Sequence, residues 1–279
     1  MKFASINTSA GPSYGVVTAD GIAPVSETWR RRFPTLRDAI AAGALDGVSG
    51  AGEGIVAFEE ADFLPPIPNP GKVICVGKNY AAHAAESGHK PATFPTLFAR
   101  FTETLVGHGH PLVKPVLSSR FDFEGELALV IGKGGRHIPE PEAVGHIAGY
   151  SCFHDGSVRD FQFDHSLLAG KNFASTGGFG PILTTADEVG DPQGLEVVTR
   201  LNGETVQHGH TRDMIFGCAW LIAYISGFIS LEPGDVIATG TPEGVGFARK
   251  PPLWLKAGDT VEVEIPGVGL LRNSVVAET

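Results

Sequence analysis

The sequence predicts a mixed α/β fold, mostly β, with a small N-terminal domain (residues 1–64) ahead of a larger main domain (65–279). Three observations carry this. The 37 glycines and 20 prolines suit many strands and tight turns better than a helical bundle. Apolar, β-branched runs are short and end on glycine or a turn pair, as in Lys72–Gly77, Phe121–Ile131 and Val236–Thr239. Pro65-Pro66-Ile67-Pro68-Asn69-Pro70 reads as a stiff extended connector and marks the boundary.

In the first unit, Phe3–Ile6 predicts a short strand. Tyr14–Ala19 and Ile22–Val25 flank the hairpin signal Asp20-Gly21. Pro34-Thr35-Leu36-Arg37-Asp38 reads as a capped helix start. No chemical constellation falls there. In the main domain, Lys72–Gly77 is a buried-type strand, followed by one or two helical turns with Asn79 as N-cap and Gly88 as stop. Ala148–Phe153, Leu195–Leu201 and Val236–Thr239 are strands, and Asn202-Gly203 is a hairpin turn. Thr211 is read as the cap of a core helix from Arg212 to Phe228, and Thr260–Ile265 with Gly269–Arg272 as a closing hairpin.

Several of these segments carry groups with chemistry. On a strand from Phe121 to Ile131, side chains alternate, so Asp122, Glu124 and Glu126 share one face. The two glutamate Cα atoms lie about 7 Å apart. Carboxylates that close either face water along an edge or, if enclosed, hold a proton, a cationic side chain or a hard cation such as Mg²⁺, Mn²⁺ or Ca²⁺. Asp155, at a strand end, could complete a three-carboxylate set. His83 and Glu86 share a helical face, a geometry that orients an imidazole as a general base or forms an idle surface pair. Arg159 and Asp160 read equally as a structural ion pair. Lys171 stands in a small, Gly-flanked segment, either as a surface lysine or as a cation aimed at developing negative charge. Gly240–Gly246 is rich in free backbone N–H groups and could bind a carboxylate or serve only as a connection. The His108-Gly-His110 and His208-Gly-His210 pairs lack companion ligands and read as loop histidines.

Composition narrows the class. A net charge of −10 argues against nucleic acid and anionic membrane as partners. Cys75, Cys152 and Cys218 are widely spaced in apolar contexts, which predicts buried free thiols in a reducing cytoplasm. The first residues hold no apolar run of signal length, and no segment approaches a membrane span. The Gly132–Arg136 run fits neither the dinucleotide nor the phosphate-loop pattern.

Taken in order, these motifs resemble the fumarylacetoacetate hydrolase family. The resemblance lies in Val76-Gly77-Lys78-Asn79-Tyr80 with His83 and Glu86, Phe123-Glu124-Gly125-Glu126-Leu127, Asp155–Gln162, Gly170-Lys171-Asn172-Phe173, Gly240–Val245 and the closing Gly258–Asn273 segment. It covers roughly residues 64 to 279. It implies the family's β-roll catalytic domain, preceded by a small N-terminal domain, in a homodimer. It implies that Glu124, Glu126 and Asp155 hold Mg²⁺ or Mn²⁺, and that His83 and Glu86 form a general-base dyad on a closing loop. Lys171 would be the cation near the metal, with Arg159, Gln162 and Thr241 contacting substrate. His154 replaces a frequent Asn, and Gly156-Ser157-Val158 departs from the commoner residues, which bears on substrate choice. The expected reaction is metal-dependent hydrolysis of the C–C bond of a 2,4-dioxo acid such as an acylpyruvate. Decarboxylation or isomerisation of a 2-oxo diacid, such as oxaloacetate or 2-hydroxyhepta-2,4-diene-1,7-dioate, uses the same groups. A metal-stabilised, non-catalytic binding module is the remaining expectation.

Overall fold

The strand Gly125–Ile131 is buried along its whole length. From Leu127 onward it is apolar on both faces, so it belongs in the interior of a sheet that is covered on both sides. The structure, a computed structural model, describes residues 1–49, 54–88, 90 and 92–279. Among these, one 11-stranded sheet runs in the order Gly21–Pro24, Gly11–Thr18, Lys2–Thr8, Gly177–Thr185, Ile147–His154, Gly125–Ile131, Val236–Ala238, Val73–Gly77, Thr96–Ala99. Asp62–Phe63 and Leu105–Val106 pair off this path. A second sheet of five strands is ordered Glu204–His210, Glu196–Leu201, Thr260–Ile265, Gly269–Ala277, Leu112–Lys114.

Alternation along the central strand decides what each face meets. Leu127, Leu129 and Ile131 join a core with Val197, Val263 and Leu271 of the second sheet, and with Leu221, Ile222 and Ile225 of the helix Cys218–Ser226. Ala128 and Val130 face the other way, into a core with Phe153, Phe179, Leu36, Ala39 and Ile40. The N-terminal strands extend the same sheet, with Phe3 opposite Leu183 across an antiparallel ladder. The helix Leu36–Ala41 opens with the expected capping box, in which Thr35 and Asp38 bond reciprocally. Residues 1–64 therefore share sheet and core with residues 65–279.

Three sequence-based expectations are corrected. The acidic stretch is two strands: Phe121-Asp122 pairs with Ser157-Val158, and the main-sheet strand begins only at Gly125. At the break, the Glu124 carbonyl accepts from Asp155 N (2.8 Å), so the first carboxylate leaves the regular alternation beside the third. The helix expected over 212–228 is an α-helix only from Cys218 to Ser226, with a single 3₁₀ turn at Thr211–Asp213 before it. Met214–Gly217 is held out of the helix because Asn79 takes its backbone groups: Ile215 N donates to Asn79 O (2.7 Å) and Phe216 N to Asn79 Oδ1 (2.8 Å). Asn79 consequently does not cap the helix Ala81–Glu86, whose N-cap residue is Tyr80.

Asn79 Nδ2 also donates to Phe216 O (3.0 Å) and Thr239 O (2.7 Å). One buried amide thus joins three segments that converge at one end of the sheet. Replacing it with alanine orphans three buried backbone groups, each costing about 1–3 kcal/mol. Asn79→Ala is expected to lower the urea midpoint by an amount equivalent to at least about 3 kcal/mol with an unchanged slope; a midpoint shift under a third of that would contradict the role assigned to this amide.

Candidate active site and metal centre

The parallel pairing of Val73–Gly77 with Val236–Ala238 sends the loops that follow both strands out of the same end of the sheet. Beside them, the central strand opens with Glu124-Gly125-Glu126, and Ile147–His154 delivers Asp155. Glu124, Glu126 and Asp155 are buried, and one oxygen of each lies within 4.8 Å of the others.

Cations meet two of these acids. Lys171 Nζ donates to Glu124 Oε2 and Asp155 Oδ2, both at 2.6 Å. It reaches them because helix Leu167–Lys171 packs against helix Arg159–Asp164 so closely that any side chain at Gly170 would overlap Gln162. Arg159 bridges Asp122 Oδ2 (2.8 Å) and Glu124 Oε1 (2.6 Å), and its other branch donates to Gln162 Oε1 (3.0 Å). Arg100 takes the remaining Asp155 oxygen at 2.6 Å. The ion pair that is one of the readings of Arg159 and Asp160 does not form; Asp160 accepts instead from Ser118 Oγ.

Glu126 differs. Among the described residues no cationic side chain pairs with it, and its Oε2 accepts one hydrogen bond, from Gly240 N (2.8 Å). Burial, then Asp155 and Glu124, push its pKa well above the usual carboxylate range. Burial also pushes Glu124 upward, but Lys171 and Arg159 outweigh it and hold that carboxyl well below its ordinary value. Burial pulls Lys171 down, while Asp155 and Glu124 raise it further, so it stays an ammonium. His154, buried beside Arg100 and Lys171, is pushed down to about 3 and is a neutral imidazole at physiological pH.

If all were ionised, four carboxylates, counting Asp122, and three cations would leave one net negative charge out of water, which a proton on Glu126 or a bound cation must offset. Three convergent oxygen donors, one of them without a counter-charge, suit a hard divalent cation such as Mg²⁺ or Mn²⁺. Binding there would relieve the like-charge repulsion that now falls on Glu126.

The dyad stands across the same cleft. His83 Nδ1 lies 2.8 Å from Glu86 Oε1, and Glu86 Oε2 accepts from Gly244 N (2.9 Å). His83, Glu124, Glu126, Arg159, Lys171, Gln162 and Thr241 all border one cleft, with about 60 Å³ open to the centres of water-sized atoms. Thr241 Oγ1 donates to Gly125 O and accepts from Gln207 Nε2 (2.8 Å), so this hydroxyl buttresses the backbone between Glu124 and Glu126.

The loop expected to bind a carboxylate binds the protein's own. Besides Gly240 and Gly244, Gly246 N and Phe247 N donate to Asp122 (2.7 and 3.1 Å). A Cβ at Gly246 would overlap both Leu253 O and Asp122. Sequence reasoning missed Arg100 and Gln207 altogether and left Asp122 without a role distinct from the two glutamates. Arg100 lies in Phe98-Ala99-Arg100-Phe101, with no acidic or glycine pattern to flag it. His108 and His110 stay outside the cleft, His108 accepting from Arg272 N and His110 pairing with exposed Asp62.

Residues 72–276 match the family described as fumarylacetoacetate (FAA) hydrolase C-terminal. The chain belongs to the fumarylacetoacetate hydrolase family. It is 45% identical to human mitochondrial oxaloacetate tautomerase FAHD2A over 225 residues, which is 80% of this chain and 72% of that protein. A solved fumarylacetoacetate hydrolase from psychrophilic Exiguobacterium antarcticum superposes with a TM-score of 0.88 at 35% identity, covering all of both chains. Maleylpyruvate hydrolase from Sphingobium sp. SYK-6, solved with manganese(II) and pyruvate, gives 0.80 at 28% identity, again over all of both chains. The likeness covers the roll and the N-terminal unit together. No helix among the described residues is long and apolar enough to cross a membrane.

Two outcomes follow from the charge pattern. Glu126 has a raised folded pKa, so its favourable contribution is full below the unfolded carboxylate value and is lost as pH rises through the raised one. In EDTA, Glu126→Gln is expected to melt close to wild type near pH 5 and above it near pH 8, by roughly 2–4 °C per kcal/mol relieved; a gap independent of pH would refute the buried-charge account. Lys171→Met leaves Glu124 and Asp155 under-neutralised and is expected to cost about 3–5 kcal/mol. Added Mn²⁺ should raise the melting temperature of this variant more than that of wild type, as followed by scanning calorimetry.

Proposed function

We propose that the chain moves a proton at C3 of a small 2-oxo diacid, interconverting the keto and enol forms of oxaloacetate or a close analogue. The observation that carries this reading is the His83–Glu86 dyad bordering the same small cleft as the cation-bridged carboxylate cluster. Glu86 is an acceptor, so the imidazole proton sits on Nδ1 and the Nε2 lone pair is the available base. That nitrogen takes the C3 proton. The electron pair becomes the C2–C3 double bond, and negative charge collects on the 2-oxo oxygen. Lys171 and Arg159 set a positive potential where that charge grows. Return of a proton to the oxygen gives the enol, and the reverse sequence regenerates the keto acid. Glu124, Glu126 and Asp155 would hold Mg²⁺ or Mn²⁺, which supplies Lewis acidity toward the same oxygen.

The sequence alone favoured C–C hydrolysis of an acylpyruvate. One finding reverses that order: the chain is 45% identical to a protein named for oxaloacetate tautomerisation. Hydrolysis remains the second reading, supported by the likeness to maleylpyruvate hydrolase, and it needs in addition a water held beside His83.

The test is exchange of the C3 hydrogens of oxaloacetate in D₂O, read by proton NMR, alongside product identification on acylpyruvates. The proposal expects exchange well above the buffer rate, and a loss of ~10²–10⁴-fold in kcat for His83→Ala. Cleavage of acylpyruvates with oxaloacetate exchange left at the buffer rate would overturn it in favour of hydrolysis.

A further inference from the structure

The cleft wall contains a third cation that the proton transfer does not use. Lys78 borders the cleft together with Arg159 and Lys171. Those two are engaged, Arg159 with Asp122 and Glu124, Lys171 with Glu124 and Asp155. Among the described residues no carboxylate pairs with Lys78, and its side chain is half-buried at the end of the strand Val73–Gly77. Its backbone is left-handed, with φ 60°, which an ordinary L residue adopts only where the surroundings impose it. The imposing neighbour is Asn79, locked to the backbone of Phe216 and Thr239. The lysine is thus held on the wall by the same amide that joins the three converging segments.

Charge closure says what it meets. Fully ionised, the carboxylate–cation cluster carries one net negative charge; with a divalent ion it carries one net positive charge. The 2-oxo-carboxylate end of a substrate neutralises that surplus. A second carboxylate at the far end then needs a cation of its own, because the remaining wall offers apolar side chains, among them Phe98, Phe163, Leu167 and Phe247, and uncharged polar ones such as Ser87, Thr96 and Gln162. A bare carboxylate against such a wall is unfavourable.

We infer that Lys78 binds the distal carboxylate of a 2-oxo diacid and makes the cleft selective for diacids over the monoacids that lack that carboxylate. This rests on the tautomerase reading for the identity of the substrate, but it can be tested by binding without turnover. Malate and lactate differ by the distal carboxylate alone and cannot tautomerise. Calorimetric titration of each into Mg²⁺-loaded protein is expected to show malate bound at least tenfold tighter than lactate. Lys78→Met should bring the two within about twofold by weakening malate, leave lactate unchanged, and keep the wild-type melting temperature within a few degrees; Lys78→Arg should retain most of the preference. In oxaloacetate exchange, Lys78→Met should raise KM with kcat largely kept.

A malate preference that persists in Lys78→Met, or one absent from wild type, overturns the inference. If wild type exchanges oxaloacetate while the preference is independent of Lys78, the inference fails and the tautomerase reading stands. If the Lys78-dependent preference is present but oxaloacetate is not exchanged, the reverse holds.

Discussion

The site depends on buried charges that nearly, but not fully, cancel. Glu124 and Asp155 are each gripped by two cationic side chains, and Asp122 anchors one of those cations. Removing water from such groups is unfavourable unless each is paired or hydrogen-bonded. The cluster meets that demand everywhere except at Glu126, which among the described residues accepts from one backbone amide, that of Gly240. The deficit is local, and it sits where a divalent cation would share all three acids. Stability and chemistry are therefore in tension at a single carboxyl, as is common where function requires a group to be held out of balance.

The fold serves this cluster by bringing distant pieces of chain to one end of a sheet. Asp122, Glu124 and Glu126 come from one stretch, Asp155 from the neighbouring strand, and Lys171 and Arg159 from two short helices pressed together at Gly170. The Gly240–Phe247 loop then bonds Glu126, Glu86 and Asp122 through its backbone. A segment that could have captured an external anion is saturated by internal ones.

Much of this was legible in residue order. Strand-length apolar runs ending on glycine located the central strand and its neighbours. The three-residue spacing of His83 and Glu86 indicated a shared helical face, and the structure places them 2.8 Å apart. The three acids named from the sequence do converge. What was not legible depended on partners far along the chain. Nothing around Arg100 announces that it will close on Asp155. The Arg159–Asp160 pairing looked natural from adjacency, yet Asp122, buried and 37 positions away, offers Arg159 a better-matched carboxylate. The helix predicted over 212–228 begins late because one side chain, Asn79, claims its first backbone groups, and periodicity cannot reveal a competitor from another segment.

The parallel pairing of Val73–Gly77 with Val236–Ala238 has an implication for how such a site could be retuned. The segment bearing Lys78, His83 and Glu86 and the segment bearing Gly240 and Gly244 leave the sheet side by side and grip each other through Asn79 and Glu86. Transplanting either one alone into a relative would sever both grips. The two form a single cassette, and swapping substrate preference between homologues should succeed only when they travel together.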